Sequence, residues 1–475
     1  MARDDMECRR VVPSTIAGAA GALRAGSLTC QDLARTSLDC IEQLEPELNS
    51  FIEVTAEQAL NTAAELDAEL EAGKDRGPLH GIPVCFKDLF DFTGVRTTVG
   101  SRLFERSQPK VRDSAVVRLL RTAGVVSLGK NNMAEFSADM TGRNSCYGDM
   151  HNPWKITHSP CGSSGGTAAA VAAGMCYGGV GSDTGGSVRL PASVCGIVGI
   201  RPTKGLVRLE GAFPRAHTLD VPGPLSRTVH DAATLLDAMV GVYVPSRKGP
   251  VRVGYTDGLH DGVTGLRLGI IDDFTFRGLD ADVANAVHAA VESLSNLGAE
   301  SLTVEVSSFR DARGHAQLLD VLLYEFHELL GPYRAEMREA EFGPMVREDL
   351  EKGASITRYQ YEQALTARKS RMADARRAFD RVDVLLTPTQ PLRAPYCDSA
   401  SEVFDQLRKY LSPTSFIGLP SVSTPCGFDD YGLPVGLQII GNYFQERMIL
   451  RVAAALEGAI DFGKRLPAIR CHPRP

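Results

Sequence analysis

The segment from Gly162 to Ser193 constrains the fold more than any other part of this 475-residue chain. It opens with GSSGG, runs through the alanine-rich TAAAVAAG and the glycine-rich CYGGVGS, and closes with DTGGSVRLPAS. The alanine-rich part predicts a helix of small side chains that packs closely against its neighbours, and the glycine-rich part predicts a buried strand. Because a helix followed by a strand can return the chain to the same end of a sheet, Ser163 and Ser187 are predicted to meet.

Strand and helix signals alternate along the rest of the chain. The predicted strands include GIPVCF, VVSLG, LRLGII, LTVEV, VDVLL, PSVSTPCGF and LPVGLQIIG, and apolar residues at helical spacing mark many of the segments between them. This alternation predicts an α/β fold whose sheet is largely buried on both faces. We expect a single domain over residues 1–475, with a helical N-terminal segment (1–73), a core (81–205) and a helical cap (313–380).

Charge and cysteine content exclude several classes of function. The chain carries 51 basic and 58 acidic residues, and this net charge of −7 disfavours a nucleic-acid surface. No apolar run reaches the roughly 18 residues of a membrane span, and the N-terminus lacks the apolar core of a secretory signal. The eleven cysteines include no Cys-x-x-Cys pair. We therefore expect a cytoplasmic protein with reduced cysteines, no metal site and no cofactor.

Three short motifs compete as functional sites. GSSGG matches the G-x-S-x-G nucleophile elbow with Ser164 at its centre, but the preceding HNPWKITHSPC lacks the strand that an elbow requires. SQPK, from Ser107 to Lys110, matches S-x-x-K but is short and lies in polar sequence. GVGSDTGG approaches a dinucleotide-binding fingerprint, but its third glycine stands one residue late. Tight turns and close packing explain any one such segment, so the pairing of two Gly/Ser segments is the stronger signal.

Ser187 is the candidate nucleophile because it directly follows two glycines. Small residues here leave successive backbone N–H groups free to converge on the position of a single oxygen atom. An oxyanion hole requires this arrangement. The four amides concerned belong to Thr184, Gly185, Gly186 and Ser187. A nucleophilic serine needs a base, and the sequence around this stretch offers no histidine.

Lys87 ends the apolar stretch GIPVCF and can serve as that base. Burial lowers the pKa of a lysine from about 10.4 toward the range in which the amine accepts a proton. A single lysine at a strand end is more often solvated or ion-paired. The assignment therefore depends on the combination of Lys87 with the two Gly/Ser segments.

Several segments together resemble the amidase signature family. The core resemblance lies in GIPVCFKD, PCGSSGGTAAAVAAG, GSDTGGSVRLPAS and GIVGIRPTKGLV. Further similarity lies in GKNNMAEF, DVPGPLSRTVHDAATLL, DVLLTPTQPLRAP and GLPVGLQIIG. The resemblance covers most of the chain and implies the amidase-signature fold, a central mixed β-sheet covered by helices on both faces.

The resemblance also implies a Ser–cisSer–Lys triad. By position, Ser187 is the acyl nucleophile, Ser163 is a bridging serine that follows a cis peptide bond, and Lys87 is the general base. The amides from Thr184 to Ser187 form the oxyanion hole.

Three further positions concern the loops around this triad. Asp183 and Arg189 are expected to hold the loop that carries Ser187. Cys161 departs from the family, which usually has glycine before GSSGG. Whether this cysteine alters the turn that presents Ser163 stays open, and we expect it not to abolish activity.

The family hydrolyses amides, and some members cleave esters, carbamates, ureas or hydrazides. We expect a stand-alone amidase that acts on a small-molecule amide, ester or carbamate, as a monomer or homodimer without nucleic-acid or membrane partners. Met140, Thr141 and Gly142 are expected to contact the substrate.

Two alternative functions stay open within this family. One is a carbamate or biuret-type hydrolase. The other is the glutaminase subunit of a glutamyl-tRNA amidotransferase, which is disfavoured because SADMTGRNSCYG lacks the Ser-Thr-Glu-Asn stretch usual in those relatives. A purely binding role is disfavoured by the complete triad.

Overall fold

A computed structural model describes the chain over residues 13–241, 243–244, 251–252, 254–336, 342–460 and 462–471. The helices are α1 (Ile16–Arg24), α2 (Cys30–Leu48), α3 (Ala56–Glu71), α4 (Ala115–Thr122), α5 (Gly165–Ala172), α6 (Arg189–Val194), α7 (Val229–Val240), α8 (Ala281–Asn296), α9 (Ser307–Arg310), α10 (Arg313–Glu336), α11 (Pro344–Ser355), α12 (Arg358–Ala378), α13 (Phe404–Leu407), α14 (Ser412–Ile417) and α15 (Glu446–Ala459). The strands are β1 (Phe51–Val54), β2 (Pro83–Lys87), β3 (Val126–Asn131), β4 (Gly178–Asp183), β5 (Val198–Arg201), β6 (Val221–Ser226), β7 (Tyr243–Val244), β8 (Val251–Arg252), β9 (Arg267–Ile271), β10 (Glu300–Val304), β11 (Val384–Pro388), β12 (Ser421–Phe428) and β13 (Pro434–Ile440).

One large mixed sheet dominates the described residues, and β7 and β8 form a separate antiparallel pair. The strand order of the large sheet is β1-β3-β2-β4-β6-β5-β12-β13-β11-β9-β10. Pairing is parallel within β3-β2-β4 and β11-β9-β10 and antiparallel at the other contacts. Every residue of β2, β3, β4 and β6 is buried. The predicted α/β fold with a central mixed sheet is therefore confirmed.

Local sequence explains why several of these elements form. Thr29 and Asp32 make a capping box at the start of α2, in which each side chain accepts a hydrogen bond from the other residue's amide. Every residue of α5 is buried. A Cβ atom at Gly166 would collide with the backbone carbonyl oxygens of Asn132 and Ser50. The small-residue helix therefore packs directly on neighbouring backbone, as the sequence predicts.

Three strands of the large sheet were not predicted from the sequence: β1, β5 and β6. The N-terminal segment predicted as helical contains β1, which pairs antiparallel with β3. Its four residues, FIEV, are too few for periodicity to separate a strand from a loop. Strand β6 reads VPGPLS, and prolines normally argue against a central strand because they cannot donate to the ladder. β5 spans only four residues.

The region predicted as a helical cap contains α10, α11 and α12. Helix α10 packs against both α11 and α12. Residues 337–341 of the predicted cap lie outside the described residues, as do residues 1–12 of the N-terminal segment. The division of the chain into an N-terminal segment, a core and a cap stays a prediction.

Two further features bear on the expectations from composition. A disulfide joins Cys40 in α2 to Cys471. The expectation that the cysteines are all reduced is therefore wrong for this pair, and their separation of 431 residues explains why no spacing motif shows it. Within the described ranges, no helix combines the length and apolar content needed to cross a bilayer.

Candidate active site

Lys87 lies at the end of β2 with its side chain completely buried. Its Nζ donates to Ser163 Oγ at 2.7 Å and to Ser182 Oγ at 3.0 Å. Burial lowers the pKa of Lys87 from 10.5 to about 7, although the nearby Asp220 and Asp183 carboxylates favour the protonated form. A neutral amine at this position can accept a proton near neutral pH.

Ser163 lies in the loop before α5, and the peptide bond from Gly162 to Ser163 is cis. This bond has the geometry that the family resemblance implies. The Gly162 amide donates to the Met140 carbonyl at 2.8 Å, and the Ser163 carbonyl accepts from the Ala134 amide at 3.2 Å. The backbone on both sides of the cis bond is therefore fixed, and the Ser163 hydroxyl faces Lys87.

Ser164 has a different environment from Ser163. Its Oγ donates to the Ser182 carbonyl and accepts from the Ser182 amide, each at 3.3 Å. No strand lies among residues 152–161, which the structure describes in full. The nucleophile elbow centred on Ser164 therefore lacks its leading strand, and Ser164 braces the loop against β4.

Ser187 lies between β4 and α6 and is 4 % exposed. The Ser164 amide donates to the Ser187 carbonyl at 3.3 Å. The two Gly/Ser segments therefore touch through Ser164 and Ser187, and a contact between Ser163 and Ser187 stays a prediction. Because β2 and β4 pair directly in parallel and end at the same edge of the sheet, Lys87 also lies close to the end of β4, where its Nζ donates to Ser182 Oγ.

The predicted oxyanion hole needs one correction. The Gly186 amide donates to Asp183 Oδ1 at 2.9 Å and is not free to bind a substrate oxygen. Gly186 has φ +129°, and a Cβ atom there would lie 2.5 Å from the Leu411 side chain, so only glycine fits. The backbone amides of Thr184, Gly185 and Ser187 have no protein acceptor within the described residues. These three amides remain candidates for binding an oxyanion.

Asp183 anchors this loop through two buried arginines. Arg189 contacts the carboxylate with two hydrogen bonds, each 2.9 Å long, and Arg201 Nη1 lies 3.0 Å from Asp183 Oδ1. Burial alone would raise the pKa of Asp183, but the two guanidinium groups hold it well below its ordinary value. Arg189 also donates to Thr414, Ser415 and Gln438. The expected supporting contact between Asp183 and Arg189 is present.

The loop predicted to contact the substrate packs beside the cis bond. Met140 and Thr141 are buried, and Gly142 has φ +73°. The Met140 carbonyl accepts a hydrogen bond from the Gly162 amide. The Thr141 carbonyl accepts a hydrogen bond from Ser159 Oγ at 2.5 Å. These contacts position the loop around Ser163. Direct contact of Met140, Thr141 and Gly142 with a substrate stays a prediction.

Cys161 occupies a backbone conformation that favours glycine. Its φ is +55°, and its side chain is fully buried. Its amide donates to Ser159 Oγ at 2.8 Å, which holds the turn in this conformation. The turn that presents Ser163 therefore forms with cysteine in place of the family's usual glycine.

Three residues of the site escape the sequence analysis: Ser182, Arg201 and Asp220. Ser182 is a second hydrogen-bond partner of Lys87, and Asp220 accepts from Thr184 Oγ1 at 2.6 Å. Ser182 immediately precedes Asp183 on β4, so its proximity to Lys87 could have been inferred from the pairing of β2 with β4. Arg201 and Asp220 reach the site from β5 and from the turn before β6, which are not predicted.

Comparisons with known proteins identify the family to which this chain is similar. The model of the Amidase family matches residues 32–450. The A subunit of the glutamyl-tRNA(Gln) amidotransferase of Synechococcus sp. (strain JA-3-3Ab) is 40% identical over 474 residues, which covers 94% of this chain and 92% of that protein.

Two solved structures show the same fold. The peptide amidase from Stenotrophomonas maltophilia superposes with a TM-score of 0.82 and 30% identity, covering 97% of this chain and 99% of that one. A 6-aminohexanoate cyclic dimer hydrolase superposes with a TM-score of 0.86 and 25% identity, covering 96% and 98%. On the evidence of its family model, its relatives and its fold, this chain belongs to the amidase signature family.

Proposed function

We propose that this protein cleaves the C–N bond of an amide through an acyl-enzyme on Ser187. The observation that carries the proposal is the 2.7 Å hydrogen bond between buried Lys87 and Ser163, with the pKa of Lys87 lowered to about 7 by burial. A neutral amine next to a hydroxyl can relay a proton, so Ser163 would connect Lys87 to the nucleophile.

The proposed reaction has two half-reactions. Ser187 Oγ bonds to the amide carbonyl carbon while its proton passes to Ser163 and the Ser163 proton passes to Lys87. The oxyanion is stabilised by the amides of Thr184, Gly185 and Ser187. The C–N bond then breaks as the nitrogen takes a proton back through Ser163. Water cleaves the acyl-enzyme by the same relay and regenerates Ser187.

The dependence of the rate on pH tests this mechanism. With a simple amide as substrate, kcat/KM should fall as the pH drops through about 7, because protonated Lys87 cannot accept a proton. Lys87→Met should remove nearly all activity, together with this acidic limb. A Lys87→Met protein that keeps substantial activity and the same pH profile would contradict the proposed base.

The observations constrain the type of reaction more than they constrain the class of substrate. The sequence alone favours a stand-alone small-molecule amidase, but the comparison with sequence relatives supports the amidotransferase alternative better. The Synechococcus amidotransferase protein is 40% identical over 94% of this chain, whereas the peptide amidase is 30% identical. We therefore retain two candidate functions: the glutaminase subunit of a glutamyl-tRNA(Gln) amidotransferase, and a stand-alone amidase resembling the structurally similar enzymes.

One experiment separates the two candidates. Purified protein is assayed for ammonia release from glutamine and from simple amides, first alone and then with the remaining subunits of such an amidotransferase and glutamyl-tRNA(Gln). Activity that appears only in the complete mixture identifies the amidotransferase function. Turnover of amides by the isolated chain, unchanged by the added components, identifies the stand-alone amidase.

A further inference from the structure

The carboxylate of Asp220 holds the side chain of Thr184 beside the proposed nucleophile. Strands β4 and β6 pair antiparallel, with Asp183 opposite Val221. Because Thr184 follows β4 and Asp220 precedes β6, these two residues lie side by side. Thr184 Oγ1 donates to Asp220 Oδ1 at 2.6 Å, and both side chains are buried. The hydrogen bond therefore anchors the start of the loop that carries Ser187.

The loop needs this anchor because two glycines follow Thr184, and glycine restricts the backbone least. The Gly186 amide is held by Asp183, but a Cβ atom at Gly185 would meet no atom within 4 Å apart from its chain neighbours. Packing therefore does not fix Gly185. The amides of Thr184 and Gly185 are two of the three candidate oxyanion donors, and such donors act only if they are aligned before the reaction.

Asp220 is itself fixed by the turn over residues 215–220. Its Oδ2 accepts from the Arg215 amide at 2.8 Å and from the Ala216 amide at 3.1 Å. The Asp220 amide in turn donates to the Ala216 carbonyl at 2.9 Å. A carboxylate held by backbone groups in this way keeps the Thr184 hydroxyl in one position.

The same turn is attached to three helices. Glu325 of α10 accepts from the Thr218 amide at 3.0 Å and from the Thr218 hydroxyl at 2.6 Å. The Tyr361 hydroxyl of α12 donates to Glu325 at 3.0 Å. Arg215 forms an ion pair with Asp349 of α11. The turn therefore connects α10, α11 and α12 to the loop that carries the proposed nucleophile.

We propose that Asp220 is a positioning residue of the proposed oxyanion hole, and that the turn 215–220 couples α10, α11 and α12 to it. Asp220 acts through Thr184, whose anchored side chain aligns the amides of Thr184 and Gly185. A displacement of the three helices would therefore change this alignment and with it the rate of acylation. The inference rests on the proposed acyl-enzyme at Ser187 and goes beyond it by naming what aligns the donors.

Thr184→Val tests the contact, because it removes the hydroxyl but keeps a side chain of similar shape and leaves Asp220 in place. The readout is the rate constant for labelling of Ser187 by a fluorophosphonate, measured by mass spectrometry. In this reaction Ser187 Oγ bonds to phosphorus, fluoride leaves, and the phosphoryl oxygen needs the same donors as an oxyanion. We expect Thr184→Val to slow labelling by about 10–10²-fold, less than the loss of a whole donor would. Thr184→Ser keeps the hydroxyl and should stay within a few-fold of the wild type.

Thr234→Val is the matched control. Thr234 is 3 % exposed, and its hydroxyl donates to the His230 carbonyl at 2.9 Å within α7. This variant loses the same chemical group from a buried position and should be labelled at the wild-type rate. Ammonia release from butyramide or glutamine provides a second readout, in which Thr184→Val should lower kcat by a similar factor while KM changes little.

Glu325→Gln tests the coupling to the helices. Glutamine has the same size but presents one acceptor oxygen in place of two, so it weakens the attachment of Thr218 to α10. We expect labelling to slow by about 3–10-fold, the factor that corresponds to one ordinary hydrogen bond. If both changes act through the same contact, the double variant Thr184→Val/Glu325→Gln should be no slower than Thr184→Val alone.

The outcomes separate this inference from the proposed function. A wild-type protein that is not labelled at Ser187 would contradict the acyl-enzyme, and the inference with it. Labelling of Thr184→Val at the wild-type rate, or an equal loss in Thr234→Val, would overturn the positioning role and leave the acyl-enzyme intact. Effects of Thr184→Val and Glu325→Gln that multiply in the double variant would overturn the coupling. If Thr184→Val does not fold, Glu325→Gln alone decides, and an unchanged labelling rate in that variant counts against the inference.

Discussion

Replacing Lys87 by methionine should abolish activity and make the folded protein more stable near neutral pH. Folding brings Lys87 from a pKa of 10.5 to about 7, so at pH 7 the folded state must accommodate a group that the unfolded chain keeps protonated. This difference between the unfolded and the folded pKa of Lys87 corresponds to a loss of about 5 kcal/mol in the free energy of folding. Methionine fills a similar volume and carries no charge to desolvate, so it avoids this cost.

The net gain is smaller, because the lysine also makes two hydrogen bonds. The contacts to Ser163 and Ser182 each contribute about 1 kcal/mol, and both hydroxyls lose a partner in the variant. We therefore expect Lys87→Met to be more stable by about 2–3 kcal/mol at pH 7. For 475 residues the unfolding entropy is about 1 kcal/mol per kelvin, so Tm should rise by about 2–3 °C.

The sign of the pH dependence follows from proton binding. Between pH 7 and 10.5 the unfolded chain holds a proton on Lys87 that the folded chain has released, so wild-type stability rises with pH across this window. The advantage of Lys87→Met should therefore shrink as the pH approaches 10.5. Thermal and urea unfolding of both proteins from pH 6 to 10 measures this difference. A variant that is less stable than the wild type, by a margin independent of pH, would show that Lys87 is protonated in the fold.

Three further outcomes follow from the same site. Ser187→Ala should fold normally, lose essentially all turnover and no longer be labelled by a fluorophosphonate, as mass spectrometry can show; labelling at Ser164 would restore the elbow interpretation. Ser163→Ala should lower kcat by about 10²–10⁴-fold with little change in Tm, whereas Ser164→Ala should affect kcat less; near-normal kcat for Ser163→Ala would remove the relay. Arg189→Lys should destabilise the protein by about 3 kcal/mol or more in urea unfolding, since lysine cannot reproduce the two hydrogen bonds to Asp183; a change below about 0.5 kcal/mol would contradict the anchoring role.

The sequence predicts the part of the fold in which local pattern and long-range packing agree. Strands β2 and β4 are continuous runs of apolar or small residues that end in polar ones, so both their existence and the edge at which they end can be inferred. Lys87 and the two Gly/Ser segments could therefore be placed together. Strand β6 could not, because VPGPLS forms a central strand only when its partners tolerate missing amide donors.

Side-chain contacts from distant parts of the chain were beyond the sequence. Arg189 is held by Gln438 and Thr414, more than 200 residues away, and no local pattern relates these positions. The Gly186 amide is a second feature that the sequence could not predict, because it donates to Asp183 Oδ1. A run of small residues indicates that amides are available, but only the position of Asp183 decides which of them is already used.

Two carboxylates near Lys87 oppose its neutral form, and neighbouring groups limit their effect. Asp220 and Asp183 would each stabilise an ammonium group, and both oppose the effect of burial on Lys87. Asp183 is ionised, but Arg189 and Arg201 carry more positive charge than it can balance. Burial raises the pKa of Asp220, which weakens its charge as the pH falls. Arg201 therefore has an electrostatic role as well as a structural one: without it, Asp183 would stabilise protonated Lys87 more strongly and make the proposed base less available. Arg201→Gln should accordingly shift the acidic limb of the pH profile upward, a change that a purely structural arginine would not produce.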